Sequence, residues 1–302
     1  MDKTPLIFDI KRYAINDGPG IRTTIFFKGC PLQCPWCHNP ESFSSKTEKM
    51  YSSAKCIGCQ ECIKWCPNKV CELTSDGIVT NPDLCLLCGV CADVCPTQAT
   101  EMSGRVMFVD EVMAVIKKEI TFFDQSGGGV SFSGGEPLLF PQFLLELLNQ
   151  CGQNQIHRIV DTTGYCPEET LLEVAGHTEH FLYDLKMMDS AKHKKFTGVG
   201  NELILNNLQT LAKTGRIIDI RIPLIHGVND DLPNIEESAA FIAKLAGPPN
   251  RVDILPYHNI TSNKYSKLGR IFHPGQMAEP TQQRQEEAVA IINKYGLDAR
   301  IN

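Results

Sequence analysis

The sequence predicts an α/β protein: a partial (β/α)6 barrel of TIM type, with a small cysteine-rich unit inserted into its first repeat. Three observations carry this expectation. Beyond residue 105, helical and strand patterns alternate, as parallel strands joined by crossover helices require. Strand after strand ends in polar residues or glycines, and parallel barrels collect their functional groups at the C-terminal ends of strands. Eight cysteines with repeated spacing fill residues 56–95 and interrupt the alternation.

The elements follow in chain order. Residues 1–21 read as an entry segment closed by the turn Asp17-Gly-Pro-Gly. Arg22 reads as one half of a surface or interdomain salt bridge. Thr23–Phe27 is β-branched and aromatic, a short buried strand. Residues 43–54 are polar and without periodicity, which suits a linker. Val109–Phe123 has apolar residues at helical spacing, and Gly129–Ser133 is a strand. Pro141–Leu148 opens a helix with proline in its first turn. A strand ends at Arg158–Asp161, and Pro167–Val174 opens a helix with Glu168 and Glu169 at its positive end. Phe181–Leu185 is a strand, Asn201–Ala212 a helix, Ile217–Leu224 a strand, and Leu232–Leu245 a helix stopped by Gly247-Pro-Pro. Val252–Pro256 is a strand, Gln282–Lys294 a helix, and Ala299–Ile301 a last strand. Counting from residue 23, this makes six βα units, fewer than the eight of a closed barrel. Residues 1–45 and 105–302 therefore form the barrel, and 46–104 the insert.

Composition bounds the function. The chain has 302 residues, 42% of them apolar, a formal net charge of −6 and a sequence pI of about 5.8. Nothing here is the electrostatic footprint of a nucleic-acid or anionic-membrane partner. There is no signal-peptide apolar core and no run near the roughly 18 apolar residues of a membrane span. The expectation is a soluble cytoplasmic monomer, whose 14 cysteines read as metal ligands before disulfides.

The chemistry centres on Lys28–Pro40. Cys30, Cys34 and Cys37 form a C-x3-C-x2-C array. Three thiolates can hold three corners of a four-iron, four-sulfur cube, leaving one iron without a protein ligand. Open metal positions serve catalysis. The alternatives are zinc or buried thiols, but zinc sites usually pair two C-x2–4-C elements across a longer gap. Farther on, Cys56-x2-Cys59-x2-Cys62-x3-Cys66-Pro recurs 29 residues later as Cys85-x2-Cys88-x2-Cys91-x3-Cys95-Pro. This resembles the bacterial two-cluster ferredoxin run, in which the fourth cysteine of each run ligates the other cluster. It pairs Cys56, Cys59, Cys62 and Cys95 on one cluster, and Cys85, Cys88, Cys91 and Cys66 on the other. The alternative is a zinc-stabilised insert. Cys71, Cys151 and Cys166 read as buried or incidental thiols.

With Trp36 before Cys37, the three-cysteine array resembles the signature of radical S-adenosylmethionine (SAM) enzymes. Asp17-Gly-Pro-Gly-Ile-Arg22-Thr and His38-Asn39-Pro40-Glu41-Ser42 narrow the resemblance to activating enzymes of glycyl radical enzymes. The resemblance implies SAM on the unique iron and reductive cleavage to methionine and a 5′-deoxyadenosyl radical. That radical would take hydrogen from a glycine of a partner glycyl radical enzyme. It implies three [4Fe-4S] clusters, with reduced flavodoxin or ferredoxin as electron donor. Gly134-Gly135-Glu136 would take the SAM amino group. Asp161, Thr162, the Leu182 backbone and Asp184 would hold a monovalent cation, Na+ or K+. Leu185 would adjoin the cofactor, and Lys186 and Arg221 would counter the SAM carboxylate or orient its ribose. His258 would lie at the adenosyl end, with Trp36 and His38 lining the adenine side. The rival readings are a radical SAM enzyme acting on a small molecule, and an electron carrier of ferredoxin type. The basic run Lys192–Lys195 reads as a solvated face, with partner docking as its alternative.

Overall fold

The structure, a computed structural model, describes residues 5–259 and 261–302. Residues 1–4 of the entry segment lie outside them. Nine strands form one open sheet in the order β13-β12-β11-β10-β9-β8-β2-β1-β7. These are β1 (Leu6–Ala14), β2 (Arg22–Lys28), β7 (Arg105–Val106), β8 (Gly129–Gly134), β9 (His157–Thr162), β10 (His180–Asp184), β11 (Ile217–Leu224), β12 (Arg251–Pro256) and β13 (Ala299–Ile301). From β2 through β13 every neighbouring pair is parallel, while β1 runs antiparallel to β2 and β7. The crossover helices are Pro141–Gln153, Glu168–Gly176, Glu202–Ala212, Leu232–Ile242 and Gln282–Lys294.

Side-chain alternation sorts each strand into two faces. Val130 and Phe132 of β8, Phe181 and Tyr183 of β10, and Ile218, Ile220 and Ile222 of β11 enter the core beneath the helices. Leu144 and Leu148, Leu171 and Val174, and Leu208 and Leu211 meet them at helical spacing. Each fully buried Leu or Phe contributes about 1.5–3 kcal/mol by removal from water. The opposite positions, Ser131 and Ser133, Asp161, Leu182 and Asp184, Asp219 and Arg221, and Asp253, are therefore aimed into the barrel.

The insert builds two small sheets from four strands, β3 (Glu48–Tyr51), β4 (Cys71–Thr74), β5 (Gly77–Thr80) and β6 (Thr100–Ser103). They pair antiparallel as β3 with β6 and β4 with β5. Helices Glu61–Lys64 and Val90–Asp93 follow left-handed residues at Gln60 and Gly89. Left-handed backbone also occurs at Gly58 and Leu87, and at Lys69 and Gln98, so each such position returns 29 residues on. The cysteine repeat is thus a repeat of backbone conformation too.

Several expectations are corrected. The entry segment contains β1, whose polar pattern hides a strand that pairs on both sides. The 43–54 linker contains β3. The helix expected at 109–123 is two, Val109–Lys117 and Ile120–Ser126, with buried Glu119 at the break accepting an ion pair from Arg12 at 2.5 Å. Helices Ser190–Thr197 and Ser262–Lys267 were not expected. Arg22 is no surface residue: it is fully buried, donating to Ser131 Oγ at 2.6 Å, to the Val130 carbonyl at 2.5 Å and to the Pro19 carbonyl at 3.1 Å. Burial lowers its pKa to about 10, so it remains charged. It ties the Asp17–Gly20 turn to the N-terminal ends of β2 and β8.

Candidate active site

The loop after β2 carries Cys30, Cys34 and Cys37 at the C-terminal rim of the sheet. Backbone hydrogen bonds hold it from three directions. Gly29 N–H donates to the Ser42 carbonyl at 2.8 Å, Gln33 N–H to the Thr197 carbonyl at 2.9 Å, and Glu136 N–H to the Gly29 carbonyl at 2.9 Å. The last bond explains the glycine pair. A Cβ on Gly135 would lie 2.0 Å from the Gly29 carbonyl oxygen, and one on Gly134 2.4 Å from Phe27 N. These glycines let β8 approach the chain's own cluster loop. The Glu136 side chain turns to β9. Its buried carboxylate accepts from Thr162 Oγ1 at 2.7 Å, Thr163 Oγ1 at 2.6 Å and Thr163 N–H at 2.8 Å, locking β8 to β9. The basic run lies on Ser190–Thr197, with His193 buried beneath it, so this helix braces the loop.

Cys30, Cys34 and Cys37 line one open cavity of about 200 Å³ with Trp36, His38, Gly134, Gly135, Asp161, Asp184, Lys186 and Arg221. Lys186 Nζ donates to Asp184 at 2.9 Å, and Arg221 bridges to Asp161 at 3.0 Å and reaches Asp184 at 4.0 Å. Burial opposes the charge on Lys186, but Asp184 and the facing Cys34 outweigh it and its pKa is raised. Burial pushes Asp161 up to about 6 despite Arg221, with Asp184 adding to the push. Burial raises all three thiols, Cys34 to about 12. Burial thus favours the protonated thiols where no metal is bound, despite Lys186 opposing it at Cys34 and Cys37. A coordinating metal removes such protons outright, so the donor set fits an iron cluster. Burial lowers the pKa of His38, helped by Lys264, His258 and Arg221, leaving it a neutral imidazole.

Not every expected residue faces this cavity. Leu185 is buried in the helix-side core and donates its N–H to the Arg221 carbonyl at 2.9 Å. The Thr162 hydroxyl is committed to Glu136. Leu182 is buried on β10 between Asp161 and Asp219. His258 is 59% exposed at the rim, with Nδ1 3.4 Å from Glu279; its neighbour Tyr257 supplies the wall instead. Ser133 and Thr163 lie in motifs legible in the sequence, yet their place in the wall was not foreseen. Ser133 donates to Asp161 at 2.6 Å, which only the β8–β9 pairing could reveal.

In the insert, Cys56, Cys59, Cys62 and Cys95 surround one small cavity. Cys66, Cys85, Cys88 and Cys91 surround another, joined by Cys71. Ala99 N–H points at Cys95 Sγ, 3.2 Å away. Glu48 of β3 anchors the insert to the barrel: buried Lys28 donates to it at 2.7 Å, and Arg270 reaches it from the far side. Among the described residues no helix is long and apolar enough to cross a membrane.

Comparison with known proteins agrees with this geometry. Residues 24–239 match the profile described as the radical SAM superfamily. The chain is 41% identical, over 98% of its length and 99% of the relative's, to the trans-4-hydroxy-L-proline dehydratase activating enzyme of Clostridioides difficile. It is 40% identical to the benzylsuccinate synthase activating enzyme of Thauera aromatica, over 89% of this chain and 83% of that one. A solved domain of a pyruvate-formate lyase-activating enzyme from Bacteroides vulgatus aligns with TM-score 0.51 and 44% identity, covering 58% of this chain and 99% of its own. With three thiols at the rim of an open parallel sheet and relatives of this kind spanning nearly the whole chain, the protein belongs to the radical SAM superfamily, among the activating enzymes of glycyl radical enzymes.

Proposed function

We propose that the chain binds SAM over Cys30, Cys34 and Cys37 and installs a radical on one backbone glycine of a partner glycyl radical lyase. The observation that carries this reading is the convergence of three thiols, two cations and two carboxylates on one cavity at the strand ends. Cys30, Cys34 and Cys37 would hold a cluster that would supply the one-electron chemistry for cleaving SAM to methionine and a carbon radical able to take the glycine hydrogen. Gly134 and Gly135 present backbone to the amino group. Lys186 and Arg221 pair with the carboxylate or ribose, and Trp36 and His38 flank the adenine. His258 would meet the nucleoside only from the rim. Asp161 and Asp184, with the Leu182 carbonyl, offer hard oxygen to Na+ or K+, and the high pKa of Asp161 reflects a site that gains from added positive charge. The Thr162 hydroxyl would join only by leaving Glu136. The open sheet leaves an edge through which a partner's loop can enter.

In the same reading, residues 46–104 carry two [4Fe-4S] clusters, one on Cys56, Cys59, Cys62 and Cys95, the other on Cys66, Cys85, Cys88 and Cys91. They would relay electrons from a reduced flavodoxin or ferredoxin in a reducing cytoplasm. Unchanged activation by Cys59→Ala with that donor, the SAM cluster being intact, would remove the relay.

The test of the function is anaerobic. Reduced protein and SAM are mixed with lyases of the kinds the relatives serve, including trans-4-hydroxy-L-proline dehydratase, choline trimethylamine-lyase and benzylsuccinate synthase. A glycyl-radical doublet in the electron paramagnetic resonance (EPR) spectrum, with 5′-deoxyadenosine, is the expected result. 5′-Deoxyadenosine with no doublet from any of them would favour a small-molecule substrate.

A further inference from the structure

The two cysteine cavities of the insert differ in one respect that the repeat does not predict. Lys49 lies in the wall of the cavity formed by Cys66, Cys85, Cys88 and Cys91. No lysine or arginine lines the cavity of Cys56, Cys59, Cys62 and Cys95. Lys49 and Tyr51 lie two residues apart on β3, so they share a face, and each enters a different cavity. The Lys49 ammonium has no carboxylate within 4 Å among the described residues. It is held by the Thr80 hydroxyl at 2.6 Å and lies 3.6 Å from Cys71 Sγ. Its place along β3 matters as well. The pair Lys49–Met102 follows directly on Glu48–Ser103, and Glu48 is the residue gripped by Lys28 and Arg270 of the barrel. The Lys49 cavity is therefore the barrel-side member of the two, and Tyr51 marks the far one.

We infer that Lys49 is a positioning charge that raises the reduction potential of the barrel-side cluster, so that an electron entering the insert is held next to the barrel. The inference rests on the insert carrying two clusters. Adding one electron makes a thiolate-bound cluster more negative, and net charge, hydrogen bonds to sulfur and exposure set its potential. A fixed ammonium in the wall favours the reduced form. Thr80 and Cys71 act through it by fixing its position, which gives the fifth thiol of this cavity a role without making it a ligand. The electron itself comes from a one-electron protein donor of flavin or iron–sulfur type.

The test is EPR-monitored potentiometry on the full-length holoprotein, after iron and sulfide are counted per chain. Lys49→Met should make reduction of one cluster at least tenfold less favourable, a fall of about 59 mV in its midpoint for a one-electron couple. The midpoint of the SAM-site cluster should hold, that of the other insert cluster should fall less, and Lys49→Arg should recover most of the loss. An unmoved midpoint in Lys49→Met with full iron content would overturn the inference alone. An equal fall in Lys49→Arg would also overturn it, since a packing change and not charge would then be responsible. Iron for only one cluster in the wild-type chain would overturn this inference together with the reading of the insert.

Discussion

Replacing Glu48 by Gln tests the joint between insert and barrel. Lys28, the last residue of β2, has a fully buried side chain. Its ammonium donates to Glu48 at 2.7 Å and to the Glu41 carbonyl. Burial lowers its pKa, with Glu48 the main force holding it up. Glu48→Gln keeps the shape and an acceptor oxygen but leaves the ammonium buried without its counter-charge. Stranding one partner of a buried pair costs about 3–5 kcal/mol. Lys28 has an escape, because it can release its proton. From an ordinary pKa of ~10.4 to pH 7.4 is about three units, which caps the loss near 4 kcal/mol. The expected range is therefore about 2–4 kcal/mol.

The pH dependence fixes the cause. Lys28 is a base whose folded pKa is depressed, so the unfolded chain binds more protons and stability rises with pH until the unfolded pKa is passed. At pH 9.4 the same cap falls to about 1.4 kcal/mol. Apparent unfolding temperatures of the anaerobic holoprotein at one fixed scan rate provide the assay, since iron–sulfur proteins seldom unfold reversibly. The variant should melt roughly 4–8 °C below wild type at pH 7.4 and recover most of that gap at pH 9.4. A gap below about 2 °C, or one that persists unchanged at pH 9.4, would refute the reasoning. Lys28→Met removes the cost along with the charge and leaves Glu48 paired with Arg270, so it should be far milder than Glu48→Gln.

Three further outcomes are expected. Gly135→Ala drives a Cβ to 2.0 Å from the Gly29 carbonyl, so it should lose one cluster's worth of iron and SAM cleavage while the insert keeps its own iron. Asp161→Asn should stabilise the SAM-free protein at pH 7.5 by about 1–3 kcal/mol while weakening SAM binding. The raised Asp161 pKa, about 6, means its charge penalises folding above pH 6, and that penalty fades toward pH 4. The stabilisation, read as a melting shift, should vanish over that range. Arg22→Met would strand the Val130 and Pro19 carbonyls and Ser131 at the foot of the barrel, each unsatisfied group costing about 1–3 kcal/mol, and should sharply reduce the soluble yield.

What was legible in the sequence follows from how local each signal is. The parallel strands read well because β8, β10 and β11 bury one face against helices and end in turn residues. β1 did not, because Lys11, Arg12 and Tyr13 give its polar side no apolar stripe, and its place depends on pairing with β2 and β7. The grouping of the cysteines around three cavities was readable because their spacing is a local constraint. The seam of Lys28, Glu41, Glu48, Lys264 and Arg270 was not, since it joins residues more than 200 positions apart. Arg22 misled because an arginine before a strand ordinarily faces water. Here its five donors find carbonyls and a hydroxyl that only the assembled barrel provides. His258 stands exposed at the rim while its neighbour Tyr257 lines the cavity, a difference that one-residue spacing in a loop does not reveal.

The charge balance of the site explains why these residue types occur together. Asp161 and Asp184 are matched by Lys186 and Arg221, so the protein's own groups nearly neutralise one another before anything binds. A four-iron cluster in its oxidised 2+ state, held by three thiolates, brings one net negative charge. SAM, with a sulfonium, an ammonium and a carboxylate, brings one net positive charge. The cluster and SAM would then cancel one another, which a low-dielectric site favours, and a bound Na+ or K+ would add one positive charge. Reduction would add one negative charge to the site, and Lys186 and Arg221 would be the groups that face it. In the proposed reading the two cations would therefore do more than hold a carboxylate. Each is fixed by a carboxylate already within 3.0 Å, so neither need move when the charge beside it changes. On this account Lys186→Met should impair cleavage more than SAM binding. Single-turnover formation of 5′-deoxyadenosine at saturating SAM separates the two, and a loss confined to affinity would assign Lys186 to holding the ligand alone.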